Sequence, residues 1–202
     1  MSVLTEEDGK LAVQIARMVV DEYVKKGKRH EPEKVPKAFK EKRGVFVTLE
    51  EYPSKELRGC IGFPEPVAPL IDALVDSAIS AASRDPRFSE VREKELDKLV
   101  VEVSVLTPPE PIKIADRKEL PKKIKIGRDG LIMRRGWASG LLLPQVPVEW
   151  KWDEEEFLSQ TCYKAGLPPD AWLDPDTEVS SFQGQIWCEK SPRGEITRKE
   201  LK

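Results

Sequence analysis

Near the start of the chain, Leu11, Ile15, Met18, Val19 and Tyr23 recur at helical spacing and line one stripe, with charge on the other faces. Thr5 followed by Asp8 has the pattern of a capping box and Gly27 supplies a stop, so a helix is predicted between them. Residues 28–43 are polar, basic and interrupted by Pro32 and Pro36, which predicts loop or broken helix. Val45, Val47 and Leu49 then alternate as in a half-buried strand, and residues 57–61 are placed to return after Pro53-Ser54. Pro64-Glu65-Pro66 breaks the chain again. A broad apolar face over residues 70–83 predicts a helix, and Ala73, Ser77, Ala78, Ala81 and Ala82 would let it lie close to a sheet.

The valine-rich stretch 99–106 predicts a buried strand, ended by Thr107-Pro108-Pro109. Shorter strands are predicted at residues 124–126, 131–134 and 141–143, separated by glycine-bearing turns. Asp153, with Glu156 three residues on, starts a helix that runs to Gly166, and Trp152 and Phe157 are spaced as a hydrophobic staple. A last strand is predicted over residues 179–188, followed by a polar tail, residues 189–202, expected to be flexible. Helices and strands do not alternate regularly. The pattern therefore predicts an α+β fold of two lobes, each a mainly antiparallel sheet with packed helices, with a cleft between them. Residues 1–202 are expected to form one domain made of two intertwined subdomains.

Composition sharpens this. The sequence has 202 residues, 39% hydrophobic and 35% charged, enough to bury a core and too apolar for disorder to be the expectation. No run approaches the roughly 18–20 apolar residues that span a bilayer, and the acidic N-terminus lacks a secretory apolar region, so a cytoplasmic protein without membrane contact is expected. Three cysteines, Cys60, Cys162 and Cys188, without short spacings argue against a disulfide framework. Asparagine is absent while Lys and Glu abound, a composition suited to a thermophile.

Net charge is −2, which gives no global attraction to nucleic acid. Basic residues nonetheless cluster: nine Lys or Arg against three Glu over residues 25–43, and eight against three acids over residues 116–135. Either run suits a phosphate-bearing partner, but solvated surface explains both, and Phe39 alone among the aromatic residues falls within them, too few to make a stacking platform. Nucleic-acid binding ranks last.

Several chemistries lack their residues. The single histidine, His30, falls in the basic loop, there is no Cys-x-x-Cys, and neither phosphate-loop nor dinucleotide-binding glycine patterns occur. No metal site and no cofactor are expected. The segment Arg58-Gly59-Cys60-Ile61-Gly62 is different, because it joins a charge, a thiol and two glycines. Glycines permit close backbone approach to a ligand, and a cation beside Cys60 would stabilise a thiolate nucleophile. A packing role for a buried cysteine and tight sheet contacts at the glycines explains the same residues. Asp85 and Arg87 follow a helix end, where they would either face a cleft or pin a turn as a salt bridge. Gln145 beside an apolar run would orient an amide into a pocket or satisfy nearby backbone.

Five segments in order, Leu57-Arg58-Gly59-Cys60-Ile61-Gly62, Asp85-Pro86-Arg87-Phe88, Glu102-Val103-Ser104-Val105-Leu106-Thr107, Gly140-Leu141-Leu142-Leu143-Pro144-Gln145-Val146 and Lys164-Ala165-Gly166-Leu167, resemble the AMMECR family across nearly the whole chain. The resemblance implies a two-lobed α+β fold with the Arg58–Gly62 segment near the cleft. It implies no settled activity. It strengthens Arg58, Gly59, Cys60 and Gly62 as a site, with Ile61 a further ligand-binding candidate of the same segment, and more weakly Asp85, Arg87 and Gln145. It also implies company with Memo-like or radical S-adenosylmethionine proteins. Two readings follow: a small-molecule or thiol-dependent site, with Cys60 as nucleophile and Arg58 as anion anchor, or a non-catalytic module that acts with such a partner.

Overall fold

The computed structural model describes residues 4–30, 32 and 34–199. In chain order the main elements are α1 (Glu6–Lys26), β1 (Val45–Glu51), β2 (Leu57–Phe63), α2 (Leu70–Ser83), β3 (Leu99–Leu106), β4 (Glu110–Pro111), β5 (Asp129–Arg135), β6 (Ala138–Leu142), α3 (Gln145–Trp150), α4 (Glu154–Lys164), β7 (Glu178–Glu189) and β8 (Ile196–Lys199). The fold is α+β. The chain divides into two compact units, one built from residues up to Leu106 with Gln185–Lys199, the other from Thr107–Gly184.

In the first unit the described strands order as β2-β1-β3-β7-β8. β1 pairs antiparallel with both β2 and β3, and β8 pairs antiparallel with β7. Helices α1 and α2 cover one face. Thr5 caps α1 in a full capping box with Asp8, and Gly27 ends it in the left-handed region at φ 65°. Alternation along β1 and β3 turns Val45, Val47, Leu49, Val101, Val103 and Val105 into the helix-covered core. Each such buried side chain contributes roughly 1.5–3 kcal/mol.

Long-range contacts close this unit from both ends of its sequence. Trp187 is fully buried, and its ring fills the space above Gly9, where a Cβ would lie 1.9 Å from it. Arg17 on α1 forms a buried ion pair with Glu189 and donates to the Leu99 carbonyl at 2.6 Å. Glu189 also accepts from the Val101 N–H at 3.0 Å. The sequence pattern predicts a tail from residue 189, whereas residues 196–199 form β8 against β7; residues 200–202 lie outside the described ones. Polar Ile196-Thr197-Arg198-Lys199 carries little strand signal because its stability comes from its neighbour.

In the second unit β5 pairs with β6 and with the first half of β7, and β4 pairs with β7. α4 packs on β5 and β6 over a core containing Leu131, Met133, Phe157, Leu158, Cys162 and Trp172. Asp153 caps α4 by accepting from the Glu156 N–H at 2.8 Å, and Trp152 packs against this core. Residues 124–126 form no strand. A single-turn 3-10 helix (Pro121–Lys123) and a turn occupy that region instead, because the side chains of Leu120 and Ile124 reach the core without an extended backbone.

Candidate functional site

The register of β2 against β1 decides which of the motif residues face where. Leu49 opposes Gly59 and Val47 opposes Ile61, so Gly59 and Ile61 lie on the helix-covered side. Thr48 opposes Cys60, which puts both on the other face. A Cβ on Gly59 would lie 2.1 Å from the Ala81 carbonyl oxygen, so glycine there lets α2 settle onto the sheet. A Cβ on Gly62 would lie 2.2 Å from the Val45 carbonyl oxygen, within the hairpin itself. Both glycines are occupied by close backbone approach from the protein.

Arg58 follows an irregularity in the β1–β2 pairing and is buried, with 8% of its surface exposed. Its Nε donates to Glu95 at 2.8 Å, Nη1 to the Ser89 carbonyl at 2.9 Å and Nη2 to the Glu90 carbonyl at 3.3 Å. Burial opposes the Glu95 charge, yet Arg58 and the Arg92 N–H hold its carboxyl below the ordinary range. Arg58 thus fastens β2 to the segment after α2.

Around Cys60 the structure brings together the other residues predicted near the helix end. The Cys60 N–H donates to Asp85 Oδ2 at 2.8 Å, and Thr48 Oγ1 donates to Cys60 Sγ at 3.3 Å. Asp85 is 4% exposed and also accepts from the Arg87 N–H at 3.1 Å, from its Nε at 3.0 Å and from its Nη2 at 2.7 Å. Arg87 Nη2 further approaches the Cys60 carbonyl at 3.4 Å. Phe88 lies under this group, 5.5 Å from the Arg87 guanidinium and 6.0 Å from that of Arg58.

The electrostatics follow from these contacts. Hydrogen bonding by Arg87 holds the Asp85 carboxyl well below the usual carboxylate range, against the opposing effect of burial. Burial pushes the Cys60 thiol up, and this outweighs the hydrogen bond from Thr48 and the charge of Arg87. The site therefore presents a neutral, half-buried thiol beside a guanidinium held in place by a buried carboxylate. That arrangement favours binding of an anionic or polar group over attack by a resident thiolate.

Other candidate residues stand apart from this cluster. Gln145 opens α3 in the second unit and is half-buried. Cys162 is buried in α4, and Cys188 is half-buried on β7; all three cysteines are free thiols. His30 Nδ1 lies 3.0 Å from Glu22. In the second basic run, Arg128 pairs with buried Asp129 and Arg135 with Asp174. Thr48 and Glu95 are participants that sequence reasoning did not single out. Thr48 was reachable, since a hairpin register pairing Val47 with Ile61 sets it opposite Cys60; Glu95 carries no local signal for its partner.

Comparisons with known proteins bear on the family and the fold. Residues 13–187 match the family model described as AMMECR1. A protein of Thermococcus gammatolerans is 58% identical over 202 residues, covering 98% of each chain. A protein of Methanocaldococcus jannaschii is 56% identical over 201 residues, covering 100% of each. The crystal structure of the uncharacterised protein PH0010 from Pyrococcus horikoshii superposes with a TM-score of 0.87 at 56% identity, covering 98% of this chain and 99% of that one. These relatives are from thermophilic archaea, in line with a composition free of asparagine and rich in Lys and Glu. Family match, close relatives and shared fold agree, and the chain belongs to the AMMECR1 family.

Proposed function

We propose that the chain binds a small molecule bearing an anionic group at the Cys60 edge of the first unit, with Arg87 as the anchor in place of Arg58. One observation carries this reading: Arg87 is fixed by buried Asp85, yet 54% of its side chain remains exposed. Its Nη1 makes no hydrogen bond among the described residues. A guanidinium already immobilised loses little entropy on meeting a ligand. Cys60 and Thr48 supply a polar wall and Phe88 an apolar one. Arg58 is a poorer anchor because its donors are committed within the protein.

Screening small carboxylates and phosphates by thermal shift, with Arg87→Gln as counter-screen, tests the proposal. Compounds that stabilise the parent and lose at least tenfold in affinity with the variant support it. Compounds that bind both equally, or a screen without binders, remove it. Three free thiols and the absence of any helix long and apolar enough to cross a membrane among the described residues favour a reducing, cytoplasmic setting.

A second reading, a module that acts with a Memo-like or radical S-adenosylmethionine protein, is favoured by exposed tryptophans in the second unit. Trp137 is wholly exposed beside the β5–β6 turn, and Trp150 is 68% exposed and stacks on Trp152 at 6.0 Å. Large aromatic side chains left in water are typical interface anchors. Co-purification of the parent with such a partner, lost in Trp137→Ala, supports this reading; unchanged capture removes it.

A further inference from the structure

On the sheet face opposite the helices, the face that also carries Cys60 and Thr48, the first unit contains a second feature: a pocket of about 280 Å³ bordered by β1, β3, β7 and β8. Glu50, Glu102, Tyr52, Lys55, Cys188 and Lys199 are among its lining residues. Glu102 lies between Val100 and Ser104 on one side of β3, a strand in which every residue is buried. A buried carboxylate is costly without a partner, and Lys199 reaches across to it with Nζ 2.7 Å from Oε2. Lys199 itself is 43% exposed at the side chain, so this pair forms one wall of an open recess.

Glu50 forms the contrasting wall. It is half-buried and has no hydrogen bond or ion pair among the described residues. Burial pushes its carboxyl up, with a further push from Glu102 and only partial relief from Lys199 and Lys55. Among the charged groups lining the recess, Glu102 and Lys199 are committed to each other, Glu189 to Arg17 and Lys190 to Glu195, which leaves half-buried Glu50 without a side-chain partner, with the Lys55 ammonium as the competing cation nearby. The nearby Tyr52 and Thr197 hydroxyls are available to orient a short polar chain.

We infer that this pocket binds a small molecule through a primary ammonium group received by Glu50. The recess has room for a short aliphatic chain, and Glu50 is the half-buried carboxylate on its β1 wall that lacks a side-chain partner.

Isothermal titration of the full chain with 1,4-diaminobutane, using 1,4-butanediol and succinate as isosteric controls, tests this directly. Saturable binding of the diamine is expected, with neither control binding. Glu50→Gln should weaken it at least tenfold, while Lys55→Gln, which removes a competing ammonium, should tighten it several-fold. Thermal melts of both variants establish that they fold. Diamine affinity unchanged in Glu50→Gln, preference for succinate, or no saturable diamine binding by the parent overturns the inference. Arg87→Gln should leave diamine binding intact, which separates this pocket from the anion-binding edge.

Discussion

The main-chain N–H of Cys60 donates to the buried carboxylate of Asp85 at 2.8 Å, joining the middle of β2 to the turn that follows α2. The same carboxylate holds the Arg87 side chain at two of its nitrogens. Position of the thiol and position of the guanidinium therefore depend on one residue, and disturbing Asp85 moves both.

Asp85→Ala leaves the Cys60 N–H without its acceptor and frees Arg87. Loss of a charged hydrogen-bond acceptor at a buried position should cost about 2–3 kcal/mol, read as a lowered urea midpoint. A native-state carboxyl held below its ordinary value contributes stability that is present above about pH 4 and declines as pH falls through the native value. The parent should accordingly lose stability on acidification below about pH 4 more steeply than Asp85→Ala.

Arg58→Ala should destabilise the chain by about 3 kcal/mol, because it strips half-buried Glu95 of its partner and two carbonyls of their donor. A double-mutant cycle with Glu95→Ala should show a coupling of at least 1 kcal/mol in denaturant unfolding. Additive losses would instead assign the effect to packing alone.

Gly59→Ala places a methyl group against the Ala81 carbonyl, and overpacking of this kind costs about 1–3 kcal/mol. Gly136→Ala provides the comparison, since no atom lies within 4 Å of its Cβ position and its cost, about 1–2 kcal/mol, comes from φ 58° alone. Calorimetric melts of the two variants should separate a displaced helix from a strained turn: only Gly59→Ala should alter backbone amide shifts along α2.

Burial pushes all three thiols above their ordinary value, so iodoacetamide should modify none of them rapidly at pH 7. Peptide mass mapping against pH should place the Cys60 inflection above about 8.5, with Cys162 unreactive in the folded chain because it is fully buried. Arg87→Gln should move the Cys60 inflection higher still, since a cation that favours the thiolate is removed. An inflection below 8.5 would restore a nucleophilic role for Cys60.

Elements whose signals are local were legible in the sequence. The Thr5–Asp8 capping box, the Gly27 stop, the Asp153 cap and the alternation of Val45, Val47 and Leu49 each act within a few residues. α3 was hidden by Pro147, which ordinarily argues against a helix; it sits in the first turn, where no backbone donor is required. β8 was hidden because its polar residues gain their stability from β7. At the site, Cys60, Asp85 and Arg87 were recognisable as candidates from residue chemistry. Which arginine keeps an uncommitted, exposed face was not, because the Glu95, Ser89 and Glu90 partners of Arg58 depend on chain reversals far from it in sequence.

The stacking of Trp187 over Gly9, with the Arg17–Glu189 pair beside it, constrains the order in which the chain can mature as it is synthesised. α1, β1, β2, α2 and β3 leave the ribosome early but lack β7 and the indole that closes their core. The second unit is continuous over residues 107–184 and has all its own strands by the time Gly184 emerges. It is therefore free to fold first, while the earlier half waits with an open sheet edge for residues 185–199. A released chain ending before Trp187 should accordingly be protease-resistant over residues 107–184 and sensitive over residues 4–106, the state in which a chaperone that shields strand edges would have most to do.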